Sequence, residues 1–430
     1  MKINDEKLQR LALISLFLFT FSGVISLLSV KVNILALRLW KEGIIISFLL
    51  ICIGVTFLKD RVRIRNLIIL LALFFPFMIL YVLLSVNVNK LLIAYQIKVD
   101  IIPVFYVIAL SLIITTKKSA DIFYQKLLKL IVIVAIINSL FIYLESLFPS
   151  LFMSFLEIDD MNNSGRASGV RLDNTLWGLR AMGTMTSFIN AGTLTLFGFI
   201  CLLDGKVFKG AVKWICLLML LSAMVLTTYK STMIGFLVYA MTKVTYHVFK
   251  RIPASKFIYL FSAAIFFMIM AFSFLTYGVY DVFSPTKYKK IAYDSIYVRV
   301  QQHQDILGEM EANDGFYTGL GLGKNGNMGP DEKLKLTSKP LDSTYIYIMS
   351  NYGIIGVIIW VSLFFGLLLY LCSLGNRVDT VAVSMLLYAL GVEFFINNIF
   401  TNFPCNIIFF SIIFLSVVHR ANARHVSPEG

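Results

Sequence analysis

Three arginines stand in one polar stretch, at Arg166, Arg171 and Arg180, and the last leads into the apolar run that opens near Gly183. A guanidinium is permanently charged and grips phosphate through a two-pronged fork, so this residue type beside an apolar segment suits a pyrophosphate at headgroup level. Snorkelling toward lipid phosphates is the plainer use. Lys230 is pinned in a reversal between two apolar runs, after Tyr229 and before Ser231, and the same two uses apply to it. Further on, Arg299 and His303 occupy successive turns of a stretch whose apolar residues Ile296, Val300, Ile306 and Leu307 recur at a spacing that predicts an amphipathic helix. Arg299 is a second anion-binding candidate, and His303 is a candidate base or a solvated surface imidazole.

The run from Thr318 through Gly319, Gly321 and Gly323 to Lys324 invites comparison with a phosphate-binding loop, yet Thr318 and Asn325 stand where that motif needs Gly and Ser or Thr. Nucleotide binding is therefore excluded, leaving either a plain turn or a set of backbone N–H groups, with Lys324, directed at an anion. Asp342 and Ser343 precede the next apolar run, with Tyr345 just inside it. Both can cap a helix, and a carboxylate there can also accept a proton from a sugar hydroxyl. Asp100, Glu145 and Glu393 lie near the ends of apolar runs, Glu393 beside Asn397 and Asn398. Carboxylates at such depth are costly and face a cavity or a partner, so sugar binding and proton coupling would both use them.

What must position these residues is set by composition. Hydrophobic residues make up 58% of 430 and charged residues 14%, with a mean hydropathy of +0.82, which leaves too little polar surface for a water-soluble fold. The solvent is lipid. Cys52, Cys201, Cys216, Cys372 and Cys405 lie in apolar runs with no CxxC pair, which points to neither a disulfide framework nor a metal site. The net charge of +14 is scattered at the ends of apolar segments, which argues against nucleic acid. Spans of about 20 residues are needed to cross a bilayer, and such runs fall at 11–30, 42–58, 66–86, 100–116, 127–148, 183–203, 213–229, 231–249, 257–277, 343–371, 378–399 and 402–418. Lys2, Lys7 and Arg10, the basic run 59–65, and every later even-numbered loop carry the positive charge expected on the cytoplasmic side. Both termini are then cytoplasmic, the first helix is retained, and two long polar segments, 149–182 and 278–341, lie outside. The chain divides into helices one to nine (1–277), a large outer loop (278–341), and helices ten to twelve with a short tail (342–430).

Three pieces resemble the Wzy-type O-antigen polymerases and the related O-antigen ligases: the arginine before Gly183-Thr184 and Asn190-Ala191-Gly192, the Arg299 helix followed by a glycine-alternating run, and a polar residue closing the outer loop ahead of Asn351-Tyr352-Gly353-Ile354-Ile355-Gly356. The likeness covers roughly residues 165–365. It implies an all-α polytopic membrane protein of about twelve transmembrane helices, GT-C-like, with one large periplasmic loop, in a bacterial inner membrane. It further implies glycosyl transfer from undecaprenyl-pyrophosphate-linked oligosaccharide onto another lipid-linked repeat unit, without metal or cofactor, with membrane lipid, a chain-length regulator and a flippase as partners. On that model Asp342, Arg299 and Arg180 are catalytic, and Arg166, Arg171, Lys230, His303, Lys324, Tyr345 and Glu393 contact substrate. Many ligases carry a His-Asn pair where this chain has Asp342-Ser343. An O-antigen ligase and a non-enzymatic flippase or transporter are the alternatives.

Overall fold

The computed structural model describes residues 5–32, 39–156, 174–175, 178–205, 207–249, 293–326, 341–372 and 379–424. The expected ninth span (257–277), Arg166, Arg171 and the loop segments 278–292 and 327–340 lie outside the described residues. The helices are α1 (Asp5–Phe19), α2 (Ser22–Val32), α3 (Trp40–Lys59), α4 (Arg61–Leu84), α5 (Lys90–Ile113), α6 (Lys117–Leu147) and α7 (Pro149–Leu156). A two-residue ladder of β1 (Asn174–Thr175) and β2 (Gly178–Leu179) precedes α8 (Phe188–Asp204), α9 (Gly210–Leu226) and α10 (Lys230–Phe249). Then come α11 (Tyr293–Ala312), α12 (Thr344–Cys372), α13 (Thr380–Tyr388) and α14 (Cys405–Arg424).

Four helices, at 40–59, 90–113, 118–147 and 344–372, are long and apolar enough to cross a membrane, and α1 with α2 makes a fifth if that bent pair is one span. Several shorter apolar helices pack among them. Leu58, Ile215, Leu218, Leu237 and Val244 face outward and exposed, which a lipid solvent accommodates and water does not. The chain is a helical membrane protein. Where helices meet, small residues let backbones close up: a β-carbon on Gly198 of α8 would come within 2.3 Å of the Ala135 β-carbon of α6.

Polar side chains sort to two ends of the bundle, which fixes the helix directions relative to one another. At one end Lys59 pairs with Asp5 at 2.7 Å, Gln9 donates to Ser119 at 2.6 Å, and Asp379 accepts from Tyr124 and Ser416. Asp204 there accepts from Tyr239 at 2.9 Å and pairs with Lys243. At the opposite end lie the starts of α3, α5, α8, α10 and α12, with Glu145 near the end of α6 and Glu393 just after α13. Every residue proposed for chemistry that the structure describes has its backbone at or beyond this second end.

Several expected straight spans are broken. The first bends by 65° between α1 and α2, because Thr184 wedges there: its Oγ1 donates to the Thr20 carbonyl at 2.8 Å and its carbonyl accepts from Gly23 N at 3.0 Å. The eleventh leaves α13 through a π-helical turn, Ala389–Glu393, and becomes extended at Asn397. Asn397's carbonyl there receives both the N–H and the hydroxyl of Thr344. The tenth kinks at Gly353, whose φ of +66° favours glycine and where a β-carbon would lie 2.2 Å from the Tyr317 carbonyl oxygen. The outer segment 149–182 opens with a helix, α7, and does not begin as loop.

Candidate active site

Arg180 sits three residues ahead of a turn that the bundle holds rigid. Gly183 adopts φ +59°, and a β-carbon on it would collide with Asn138 Oδ1 at 2.4 Å. Glu145 accepts from Met182 N at 2.7 Å and Gly183 N at 2.9 Å, while Asn138 Oδ1 accepts both the N–H and the hydroxyl of Thr184. Glu145 thus finds its partner in backbone, and its work is to fix the turn. From this anchor the Arg180 guanidinium reaches over the Phe188 ring, 4.6 Å from its centroid. An aromatic ring under the charge holds the cation in place.

Phe188 meets the Tyr229 ring edge-on at 6.0 Å, and the Tyr229 hydroxyl donates to Glu393 Oε1 at 2.9 Å. Glu393 is fully buried and also receives Tyr388 and, at 3.0 Å, Asn397 Nδ2. The expectation placed Glu393 among substrate contacts; the structure sets it beneath the site as the post on which these groups rest. The Arg299 charge lies within electrostatic range of both Glu393 and Tyr229. Arg299 Nε stands 3.9 Å from Asp342 Oδ2, at the edge of ion-pair distance, and the Asp342 side chain remains 45% exposed. Lys230, exposed and next to Tyr229, opens α10 beside the same group. Arg180, Lys230, Arg299, Asp342 and Glu393, far apart in sequence, are thereby linked through Phe188 and Tyr229.

The capping question separates cleanly. Ser343 Oγ accepts from Ile346 N at 3.5 Å and donates to the Phe394 carbonyl, whereas the Asp342 carboxylate takes no backbone N–H among the described residues. Asp342 is instead oriented through its own N–H, which donates to Gln302 Oε1 at 3.3 Å. Helix capping belongs to Ser343, and Asp342 keeps its carboxylate for the site.

Other expected contributors are used elsewhere. Lys324 pairs with Glu309 at 2.9 Å, which on α11 is ten residues from Arg299, about 15 Å at 1.5 Å per residue. The glycine-alternating turn offers no anion nest, since Leu322 N donates to Ser85 Oγ and Gly323 N to Asn351 Oδ1, each at 2.7 Å. It docks instead on the Gly353 kink. Asp100 accepts from Gln96 and Tyr347, each at 2.8 Å, and from Tyr352, which ties α5 to the same kink. Tyr345 donates to the Leu390 carbonyl at 2.8 Å and packs at a tilt against the Phe395 ring.

The buried stripe of α11 differs in two places from the expected one. Ile306 and Met310 are buried and Leu307 is exposed, so the packed face runs through 299, 303, 306 and 310. His303 therefore packs inward rather than facing water, and burial pushes its imidazole from 6.5 down to about 4. It is neutral near pH 7. Because the folded state holds this proton less tightly than the unfolded chain, the stabilisation is intact above pH 6.5 and is lost as pH falls toward about 4. Melting of the purified protein should show a drop between those values that is smaller in H303Q; equal drops would remove His303 as its source.

A cavity of about 310 Å³ opens against Asp342. Its walls come from the start of α3 (Lys41, Glu42), α5 (Tyr95, Lys98), the turn before α8 (Thr186, Ser187) and the extended segment around Asn397 and Asn402. Sequence reasoning passed over Lys41, Glu42 and Lys98. The signal was present, since lysines at span ends expected to lie outside break the same charge rule that drew attention to Arg180.

No protein-family model and no curated protein matches this chain. Function has to follow from the chemistry of the site. Two fixed guanidiniums can hold a phosphate-bearing leaving group, and a half-exposed carboxylate between them and a polar cavity can take a proton from a group bound in that cavity.

Proposed function

We propose that the chain is a glycosyltransferase of about twelve spans in a bacterial inner membrane, elongating surface polysaccharide from undecaprenyl-pyrophosphate-linked oligosaccharide at the periplasmic face. Both termini are cytoplasmic in this reading, and the end of the bundle that carries Arg180 and Arg299 faces the periplasm. The observation that carries it is the meeting of Arg299 with Asp342 at 3.9 Å at the lip of a cavity, with Arg180 held over the Phe188 ring. The acceptor hydroxyl oxygen attacks the anomeric carbon of the donor as its proton passes to the Asp342 carboxylate. A new carbon–oxygen bond forms, the bond from the anomeric carbon to pyrophosphate breaks, and its electron pair leaves on the pyrophosphate. Charge grows on the leaving group during this step, which is where preoriented cations lower the barrier most. The resemblance of the Gly183, Arg299 and Asn351 regions to the Wzy-type polymerases supports the same chemistry.

A deletion strain tests it. Surface glycan reduced to a single repeat unit is the expected result. Accumulated lipid-linked polymer with no attached O-antigen would replace the polymerase by a ligase, repeat units trapped on the cytoplasmic leaflet would replace it by a flippase, and an unaltered ladder would remove all three.

A further inference from the structure

We propose that the cavity beside Asp342 is a phosphate-binding site, its ligand held by Lys41 and Lys98 and by the hydroxyls of Thr186 and Ser187. Neither Arg180 nor Arg299 lines it, so the site is separate from theirs and does not depend on the transferase reading.

The charges on the cavity wall do not cancel. Lys98 pairs with Glu42 Oε1 at 3.1 Å, and Asp342 Oδ2 faces Arg299 Nε at 3.9 Å. Lys41 is the charge left over: among the described residues its ammonium has no carboxylate at ion-pair distance and no hydrogen bond. It is nevertheless held at the wall, with Nζ 4.8 Å from the centroid of the Phe403 ring. Lys41 and Lys98 lie within electrostatic range of each other. Two neighbouring ammonium groups repel, and an anion between them removes that cost. The second oxygen of Glu42 does not supply it, because Oε2 is buried and does not face the cavity.

The neighbouring hydroxyls point to the same class. Thr186 Oγ1 accepts from Asn190 Nδ2 at 3.1 Å and Ser187 Oγ accepts from Asn190 N at 3.3 Å, and neither hydroxyl donates to any described residue. Both residues line the cavity half-buried, each with its own proton still to give. The open groups are therefore donors, and they come from three separate segments: the start of α3, the helix α5 and the turn before α8. A neutral ligand would leave the Lys41 charge unanswered. A carboxylate presents its oxygens in one plane, whereas a phosphate presents them around a centre and so meets donors arriving from several sides. In a membrane such a phosphate has two sources, a phospholipid headgroup and a phosphorylated solute.

The test is a lysine footprint on the full wild-type chain in phosphatidylcholine nanodiscs. Lysines are acylated with a water-soluble N-hydroxysuccinimide ester and read one by one by mass spectrometry, with inorganic phosphate, pyrophosphate and glucuronate as probes. Pyrophosphate at about ten times its dissociation constant should cut acylation of Lys41 by about tenfold, as mass action requires, and should protect Lys98 as well. Lys118, exposed at the opposite end of the bundle, should be unaffected. K41Q forfeits no hydrogen bond or ion pair with a described residue, so it should melt with the wild type and lose the protection of Lys98. Protection of Lys41 by phosphatidylglycerol nanodiscs with no probe added would keep the site and assign its phosphate to a headgroup; protection by the soluble probes alone would keep it and assign a solute. Unchanged acylation of Lys41 under every probe and in both lipids would overturn the site. So would equal protection of Lys118, stronger protection by glucuronate than by either phosphate, or undiminished protection of Lys98 in K41Q.

Discussion

Arg299→Ala is expected to abolish long-chain surface glycan while the protein still reaches the membrane at wild-type level. The guanidinium lies within electrostatic range of a buried post that does not need it to stay hydrogen-bonded, since Glu393 is held by Tyr229, Tyr388 and Asn397. The loss should therefore appear in rate and not in folding. A single preoriented donor at a site of developing charge contributes on the order of 10²–10³ in rate. That is enough to collapse a ladder of many additions to its first rung. Arg180→Ala should act in the same direction, because it removes the cation stacked on Phe188. Lysine should rescue both poorly: an ammonium has neither the plane that stacks nor the fork that spans two phosphate oxygens. Gel ladders of surface glycan, set beside immunoblots of membrane fractions, read both quantities. Wild-type ladders from both alanine variants would remove the arginines from the site.

Much of the bundle is legible in the sequence because lipid imposes simple rules. Apolar run length locates α3, α5, α6 and α12. Charge at the ends of runs anticipates which residues gather at which end: Asp5 meets Lys59, and Asp204 meets Lys243, as alternating helix directions require. The arginines in segments expected to lie outside stood out for the same reason, and the structure sets Arg180 over the Phe188 ring and Arg299 beside Asp342. The helix of Arg299 is also readable from its period, apart from the inward turn of His303 and the outward turn of Leu307.

What was not legible depends on contacts between distant segments. Ser22-Gly23 is a local mark of the break after Thr20 and Phe21, but what makes it a 65° bend is the backbone of Thr184 and Met185 closing on Gly23 from more than 160 residues away. Glu145 and Asp100 read as free intramembrane carboxylates until the backbone of the Gly183 turn and the hydroxyls of Tyr347 and Tyr352 arrive to satisfy them. The glycine-alternating run suggested an anion nest, and only the positions of Ser85 and Asn351 show its N–H groups already taken. Lys41, Glu42 and Lys98 were missed because a cavity is a property of several helices at once. No periodicity in α3 or α5 reports that their ends converge on Asp342.

Asp342 offers the sharper chemical experiment, since the structure frees it from the role that would confuse the result. Had it capped α12, alanine would have damaged the helix start and asparagine would not. With Ser343 performing that function, both substitutions should leave the fold intact and both should lower elongation by about 10²–10⁴, the usual contribution of a positioned general base. Asparagine keeps the size and hydrogen-bonding oxygen of aspartate but cannot accept the hydroxyl proton, so its equivalence to alanine is the diagnostic outcome. D342H should recover part of the activity, because an imidazole at this position restores a base of suitable strength. Activity in D342N close to wild type would show that the carboxylate orients the acceptor without taking its proton. A cold D342H beside a cold D342N, with normal membrane levels of both, would instead mean that this position demands the carboxylate's charge next to Arg299.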